Sequence, residues 1–247
     1  MSGNRPQRRQ KSPVSRLRPF WIICVLLLVL AAAGGYFSAT WHGFDPTFVH
    51  VEGNSIVSAA EILHHAAIKR DRNLWFQNPT AIARRIEAIP YIDRAWIHRR
   101  PPATVTIVVR ERVAYSTVQA DGQRALIDHD LRVLTTDPAD QKSPVFILKD
   151  SLTLIPGIFL KNPHVAALRN DNDALTASHI TIATLAFDPY DQLVATLPNG
   201  IKLLLGDDND LQKKIPLIKP ILTQLAHGKP FSAVDLRSAS TPVVVYK

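Results

Sequence analysis

VEGNSIVSAAEIL, residues 51–63, and IPYIDRAWIHRRPPATVTIVVRER, residues 89–112, decide how residues 46–112 of this chain fold. Thr47-Phe48-Val49-His50-Val51 alternates as a short strand, and Glu52-Gly53-Asn54-Ser55 turns the chain. Ser58-Ala59-Ala60-Glu61 then has the form of a capping box, with Ser58 closing a helix start and Glu61 reaching back to it. The helix from Ala59 to Ala67 turns Ile62, Leu63 and Ala66 inward. A polar loop carrying Arg70, Asp71, Arg72 and Asn73 leads to Leu74-Trp75-Phe76, which packs under the turn. Asn78-Pro79 opens a second helix, since proline's missing N–H costs nothing at the first helical position. Ile82, Ile86 and Ile89 give that helix one buried stripe, and Pro90 ends it. Two strands follow, Ile92 to Arg99 and Thr104 to Glu111, with Arg100-Pro101-Pro102 between them. Val105, Ile107 and Val109 alternate on one face of the second. Residues 46–112 thus read as one β-α-α-β-β unit.

On the N-terminal side lies an apolar run, Phe20 to Tyr36, preceded by Arg5, Arg8, Arg9, Lys11, Arg16 and Arg18 with no Asp or Glu among residues 1–19. Trp21 and Trp41 bracket it at about 30 Å if the segment is helical, the thickness of a bilayer's hydrocarbon core. Indole rings favour the interface and Lys/Arg-rich flanks stay in the cytoplasm. A basic cytoplasmic tail, 1–19, and a transmembrane helix, 20–41, anchored by Trp21 and Trp41 are therefore expected, with everything after Trp41 exported. The competing reading is a cleaved signal, cut near Ala31-Ala32-Ala33 or Ala39, but the run is longer than a usual signal core.

The anchor also accounts for the charge. Of the formal +8, six positive charges lie in the tail, so the remainder carries only +2. The excess sits where it orients a helix and meets anionic lipid, which removes nucleic acid as an expected partner. Cys24, the single cysteine, falls inside the span, so the exported part has no disulfide.

On the C-terminal side, residues 113–247 read as a mostly antiparallel β-domain with a helix near its end. Strands are expected at 124–127, 131–134, 145–148, 180–187, 192–197, 201–205, 233–236 and 241–246. Pro198-Asn199-Gly200 is a hairpin turn. Residues 151–178 give only a broken helix. Leu211, Ile215, Ile218, Leu222 and Leu225 form a helical stripe that Pro216 and Pro220 are expected to kink or shorten.

No residue pattern asks for catalysis. His64-His65 are adjacent on a helix and point about 100° apart, which does not make a metal pair. Asp128-His129-Asp130 suits either an oriented imidazole or a polar hairpin turn. Asp207-Asp208-Asn209-Asp210 lacks the Gly and Glu of a calcium loop and is better placed to open the following helix. No enzyme activity, cofactor, metal or small-molecule substrate is expected. The terminal strand is a different matter. Thr241-Pro242-Val243-Val244-Val245-Tyr246 is β-branched and apolar, with a proline that suits a sheet edge, and an open edge invites another strand. A strand simply buried in the sheet is the alternative.

The quoted stretches, with NLWF at 73–76, resemble the POTRA domain of the bacterial cell-division family FtsQ/DivIB. LPNGIKLLLGDDNDLQKKIPLIKPIL, 197–222, and AVDLR, 233–237, resemble the region that follows it there. The resemblance implies an α+β protein: one N-terminal transmembrane helix, a β-α-α-β-β POTRA domain, then the β-domain. It implies a scaffold of the division machinery in the inner membrane at the septum. It implies binding of FtsB/FtsL-type partners at Asp235, Leu236 and Arg237 and at Val243, Val244, Val245 and Tyr246. POTRA domains commonly recruit partners by strand addition, so Thr104–Glu111 is a second expected surface, with Arg99 and Arg100 either docking groups or solvated charge. A POTRA-bearing secretion or envelope-assembly component is the other reading.

Overall fold

The computed structural model describes residues 14–138, 144–207, 210–225 and 230–246, leaving out the side chains of 14–19 and 39. Most of the expected basic tail, Asp208-Asn209 of the acidic run, and Lys247 lie outside the described residues, as do the side chains of Arg16 and Arg18. Helix α1 runs from Val14 to Thr40, so it begins six residues before the apolar run and ends just before Trp41. Its stretch Phe20–Ser38 is long and apolar enough to cross a membrane and is not buried against the rest of the protein. Trp41 stacks on Phe37 and meets Phe44 edge-on, fixing the chain's exit from the helix.

The quoted stretches build a three-stranded sheet under two helices. Strand β1 is Phe48–Glu52, α2 is Ala59–Ala66, α3 is Pro79–Glu87, β2 is Ile92–Arg100 and β3 is Thr104–Glu111. Both helix starts are capped: Ser58 Oγ accepts the Glu61 N–H, the first half of the expected box, and Asn78 Oδ1 accepts those of Thr80 and Ala81. Ile62, Ile82, Ile86, Ile92, Val105, Ile107 and Val109 make the core. Gly53 is required where it stands. Its φ is +85°, and a Cβ there would meet the Val109 carbonyl oxygen at 2.3 Å. The Glu111 carboxylate accepts the N–H groups of Ile56 and Val57 at 2.8–3.0 Å. Partial burial works to raise its pKa, but these backbone donors outweigh it and hold the carboxyl below its ordinary range.

The strand order β1-β3-β2 corrects one expectation. Strand β3 pairs with β1 in parallel and with β2 antiparallel, so Thr104–Glu111 has no free edge for a partner strand. The physical reason is the crossover: a parallel pair needs a long connection, and α2 and α3 supply it, leaving the last strand to fill the middle.

The second sheet has nine strands. They are β4 (Ala114–Ala120), β5 (Gln123–Asp128), β6 (Val133–Thr135), β7 (Val145–Ile147), β8 (Thr184–Phe187), β9 (Leu193–Thr196), β10 (Lys202–Gly206), β11 (Phe231–Asp235) and β12 (Val243–Tyr246). Their order is β12-β11-β10-β9-β8-β7-β4-β5-β6, and only β4–β7, β7–β8 and β10–β11 are parallel. Helix α4, Pro163–Ala177, crosses between β7 and β8, and helix α5, Leu211–Leu225, between β10 and β11. Both crossovers step the same way along the sheet, so a common right hand puts both helices on one face. There they touch each other and cover a core that includes Phe146, Leu168, Leu175, Leu185, Leu193, Leu203, Ile215 and Val234.

Two expectations change here. Residues 163–177 are one unbroken helix, started by Asn162 capping the Val165 N–H and by Pro163. The middle of its polar run faces inward while Asn170 stays exposed: Asp171 and Asn172 are buried, Asn172 donates to the Tyr115 hydroxyl, and that hydroxyl donates to Asp173 at 2.6 Å. Helix α5 passes through both prolines without being cut at either. Arg112 links the two sheets: its guanidinium, 9% exposed, meets Asp93 of β2, Asp128 of β5 and Asp130. Arg132 donates to the Glu87 carbonyl of α3, and both arginines lie over the Phe159 ring.

Candidate partner-binding edge

Strand β12 is an outermost strand of the nine-stranded sheet, and its position follows from the local order β10–α5–β11. Gly206 ends β10 at φ +72°, where a Cβ would crowd the Arg237 backbone at 3.2 Å. Lys214, buried at 2% exposure on α5, donates from Nζ to the Leu205 carbonyl and, at 3.1 Å, to that of Asp207. A buried ammonium needs such acceptors, and here it fastens the helix to the turn it leaves. Strand β11 then enters parallel to β10, with Leu203 opposite Val234 and Leu204 opposite Asp235.

Strand β12 returns antiparallel, pairing Val243 with Asp235, Val244 with Val234, Val245 with Ala233 and Tyr246 with Phe231. The register shifts between Phe231 and Ala233, and the Ser232 hydroxyl reaches the Val245 carbonyl at 3.1 Å. That carbonyl therefore faces β11. In an antiparallel strand, successive residues send their backbone groups to opposite sides, so the N–H and C=O of Val244 and Tyr246 face away from the sheet. Val243, Val245 and Tyr246 are exposed, between 45% and 54%. An open backbone edge thus coincides with exposed apolar side chains.

Of the three residues expected on the preceding strand, Asp235 ends β11 while Leu236 and Arg237 follow it, and their surroundings differ. Leu236 is fully buried in the core, and its N–H donates to the Leu204 carbonyl, so it holds the strand rather than presenting a side chain. Arg237 is exposed and its guanidinium clasps Asp235, whose carboxyl this hydrogen bond keeps below the ordinary range. Together the pair leaves a fixed charged group beside the apolar edge.

The remaining candidates are accounted for locally. The rings of His64 and His65 sit edge-on, 5.9 Å apart, on an exposed stretch of α2, and no metal-holding group of three is present among the described residues. Asp128 and Asp130 serve Arg112, while His129 Nε2 lies 2.9 Å from Asp173. Asp210 pairs with Lys213 within the first turn of α5. Arg99 is not plain solvated charge: it donates to the Gln77 carbonyl and lies over the Trp75 ring, whereas Arg100 is exposed. Lys214 and Arg112 were missed as anchors. The sequence signal for Lys214 was one lysine facing the same way as Leu211, Ile215 and Ile218.

Residues 46–112 match the model of the FtsQ-type POTRA domain, and residues 116–237 match that of the C-terminal part of the cell division protein FtsQ/DivIB. The chain belongs to the FtsQ/DivIB family. The DivIB protein of Clostridium tetani is 24% identical over 219 residues, covering 83% of this chain and 80% of that protein. The FtsQ protein of Caulobacter vibrioides is 28% identical over 136 residues, 55% of this chain and 44% of the relative. That of Mycolicibacterium smegmatis is 26% identical over 226 residues, 89% and 62%. Apart from the Clostridium tetani protein, the chain spans less than two thirds of the length of these relatives. The extracytoplasmic domain of Geobacillus stearothermophilus DivIB aligns at 12% identity over 48% of this chain and 97% of that one, with a TM-score of 0.31 that carries no weight by itself. FtsQ/DivIB membership makes this a cell-division protein of a scaffold family, and with α1 it is single-pass in a membrane. The β12 edge lies beyond the matched residues.

Proposed function

We infer that this FtsQ/DivIB protein is a non-enzymatic scaffold whose tail is cytoplasmic and whose sheets are extracytoplasmic, gathered at the division septum. Residues 46–112 act as a POTRA domain and 113–247 as the partner-binding domain. The partners are the FtsB/FtsL-type division proteins, captured by adding a strand to β12. The observation that carries this is the outward-facing backbone of Val244 and Tyr246 on a strand whose Val243, Val245 and Tyr246 side chains are exposed. Main-chain hydrogen bonds would set the partner's direction, and alternate side chains would select it. The membrane anchor supports the mechanism physically, because confining both proteins to one bilayer raises their effective concentration.

Val244→Pro removes one outward N–H and leaves the β11 pairing in place. Its capture of FtsB/FtsL-type partners from detergent extracts should fall to background while its thermal melt stays that of the parent. Unchanged capture would remove strand addition at β12 from the account.

A further inference from the structure

The loop 69–77 of the POTRA unit is built against the end of the membrane helix. Buried Asn73 donates from Nδ2 to the Ser38 carbonyl at 3.0 Å, and Ser38 is the last residue of the apolar span. The same side chain accepts the Trp75 N–H at 2.9 Å, which sets the single turn Leu74–Phe76. Gln77 locks the rest of the loop. Its amide donates to the Lys69 and Arg72 carbonyls at 2.7 and 2.8 Å and accepts the Lys69 N–H at 2.9 Å. The Asn73 bond therefore holds the loop at the level where α1 leaves the apolar layer, and the other four side-chain bonds fix the loop's own shape.

What this loop exposes suits that level. Trp75 and Phe76 are 50% and 56% exposed although both are large and apolar. Between residues 62 and 86 Asp71 is the sole acid, against Lys69, Arg70, Arg72, Arg84 and Arg85. Lys69, Arg72, Phe76 and Arg85 line one open groove of about 370 Å³. Aromatic rings and long cationic side chains together are what an interface between acyl chains and headgroups favours. We propose that this face of the POTRA unit docks on anionic phospholipid headgroups of the leaflet from which α1 emerges. Trp75 and Phe76 enter the interfacial layer, and Lys69, Arg70 and Arg72 meet the lipid phosphates. The consequence is orientational: a docked POTRA unit has a fixed tilt on its anchor, and so has whatever is joined to it.

The test uses the full-length chain with Cys24→Ser and Phe76→Cys, held in nanodiscs of phosphatidylcholine alone or of phosphatidylcholine with phosphatidylglycerol. The rate of labelling at position 76 by a water-soluble maleimide is measured in each. Labelling should be about fivefold slower or more in the anionic discs, the effect expected of even one cation at a charged surface. A triple charge reversal, K69E/R70E/R72E, should abolish the difference, and a Tyr190→Cys control should label alike in both lipids. The reversal keeps the backbone bonds to Gln77, and a thermal melt matching the parent verifies the fold. Equal rates in the two lipids would overturn the proposal. So would slowing that ignores the charge reversal, which would be apolar contact only, or slowing by inorganic phosphate in the neutral discs, which would make the groove a soluble-anion site.

Discussion

Strands β3 and β12 look alike in sequence and have opposite fates. Thr104–Glu111 and Val243–Tyr246 are both β-branched and apolar, and both are plausible docking strands by composition. Yet β3 is the middle of its sheet, with Val105 1% and Ile107 0% exposed, while β12 is an edge with Val243 54% exposed. Composition reports how well a strand packs. Whether a strand has a free side depends on where the crossovers put it. In the small sheet, α2 and α3 carry the chain past a vacant position that β3 later fills. In the large sheet, α5 carries it outward to β11, and β12 pairs with β11 on the side away from β10. Edge status is a property of topology.

Proline substitution separates the two most sharply. Every N–H of a central strand faces a neighbouring strand, so Val105→Pro should cost about 3 kcal/mol or more in urea unfolding. Val244→Pro should leave the same measurement within about 0.5 kcal/mol. If the two cost the same, the edge assignment fails. Truncation gives a smaller contrast. Ile107→Ala, in a fully buried site, should lose about 2–5 kcal/mol, and Val245→Ala under about 0.5 kcal/mol while weakening partner capture. The smallest effect is in pH. Glu111 ties the turn after β1 to the end of β3, and its carboxyl titrates below the ordinary 4.5. A depressed pKa gives stability that is present above the unfolded value and lost as pH falls through the folded one. The urea midpoint of Glu111→Gln should therefore lie below the parent's at neutral pH, and the gap should close as pH drops below about 4.5.

The local signals were legible where one element explained itself. Ser58, Asn78 and Pro79 start the helices that their residue types announce, and Val105, Ile107 and Val109 are buried as their alternation requires. Asn162-Pro163 is the same start signal as Asn78-Pro79. It was masked because Asn170–Asp173 interrupts the apolar stripe, and Asn172 of that run is buried where Tyr115, 57 residues away, accepts its hydrogen bond. The prolines of α5 do not cut it for a related reason: helix propensity is local, and packing of Leu211, Ile215 and Ile218 on the sheet overrides it. The candidate edge itself was readable as a terminal apolar strand. Its outward residues were not, because the register in which β12 pairs with β11 decides which of its amides face away.

Backbone amide exchange at residues 243–246, with and without a bound FtsB/FtsL-type partner, tests the central claim most directly. Strand addition should slow exchange at Val244 and Tyr246 on binding, with β3 unchanged. A complex that forms while those two amides exchange as fast as before would contradict it.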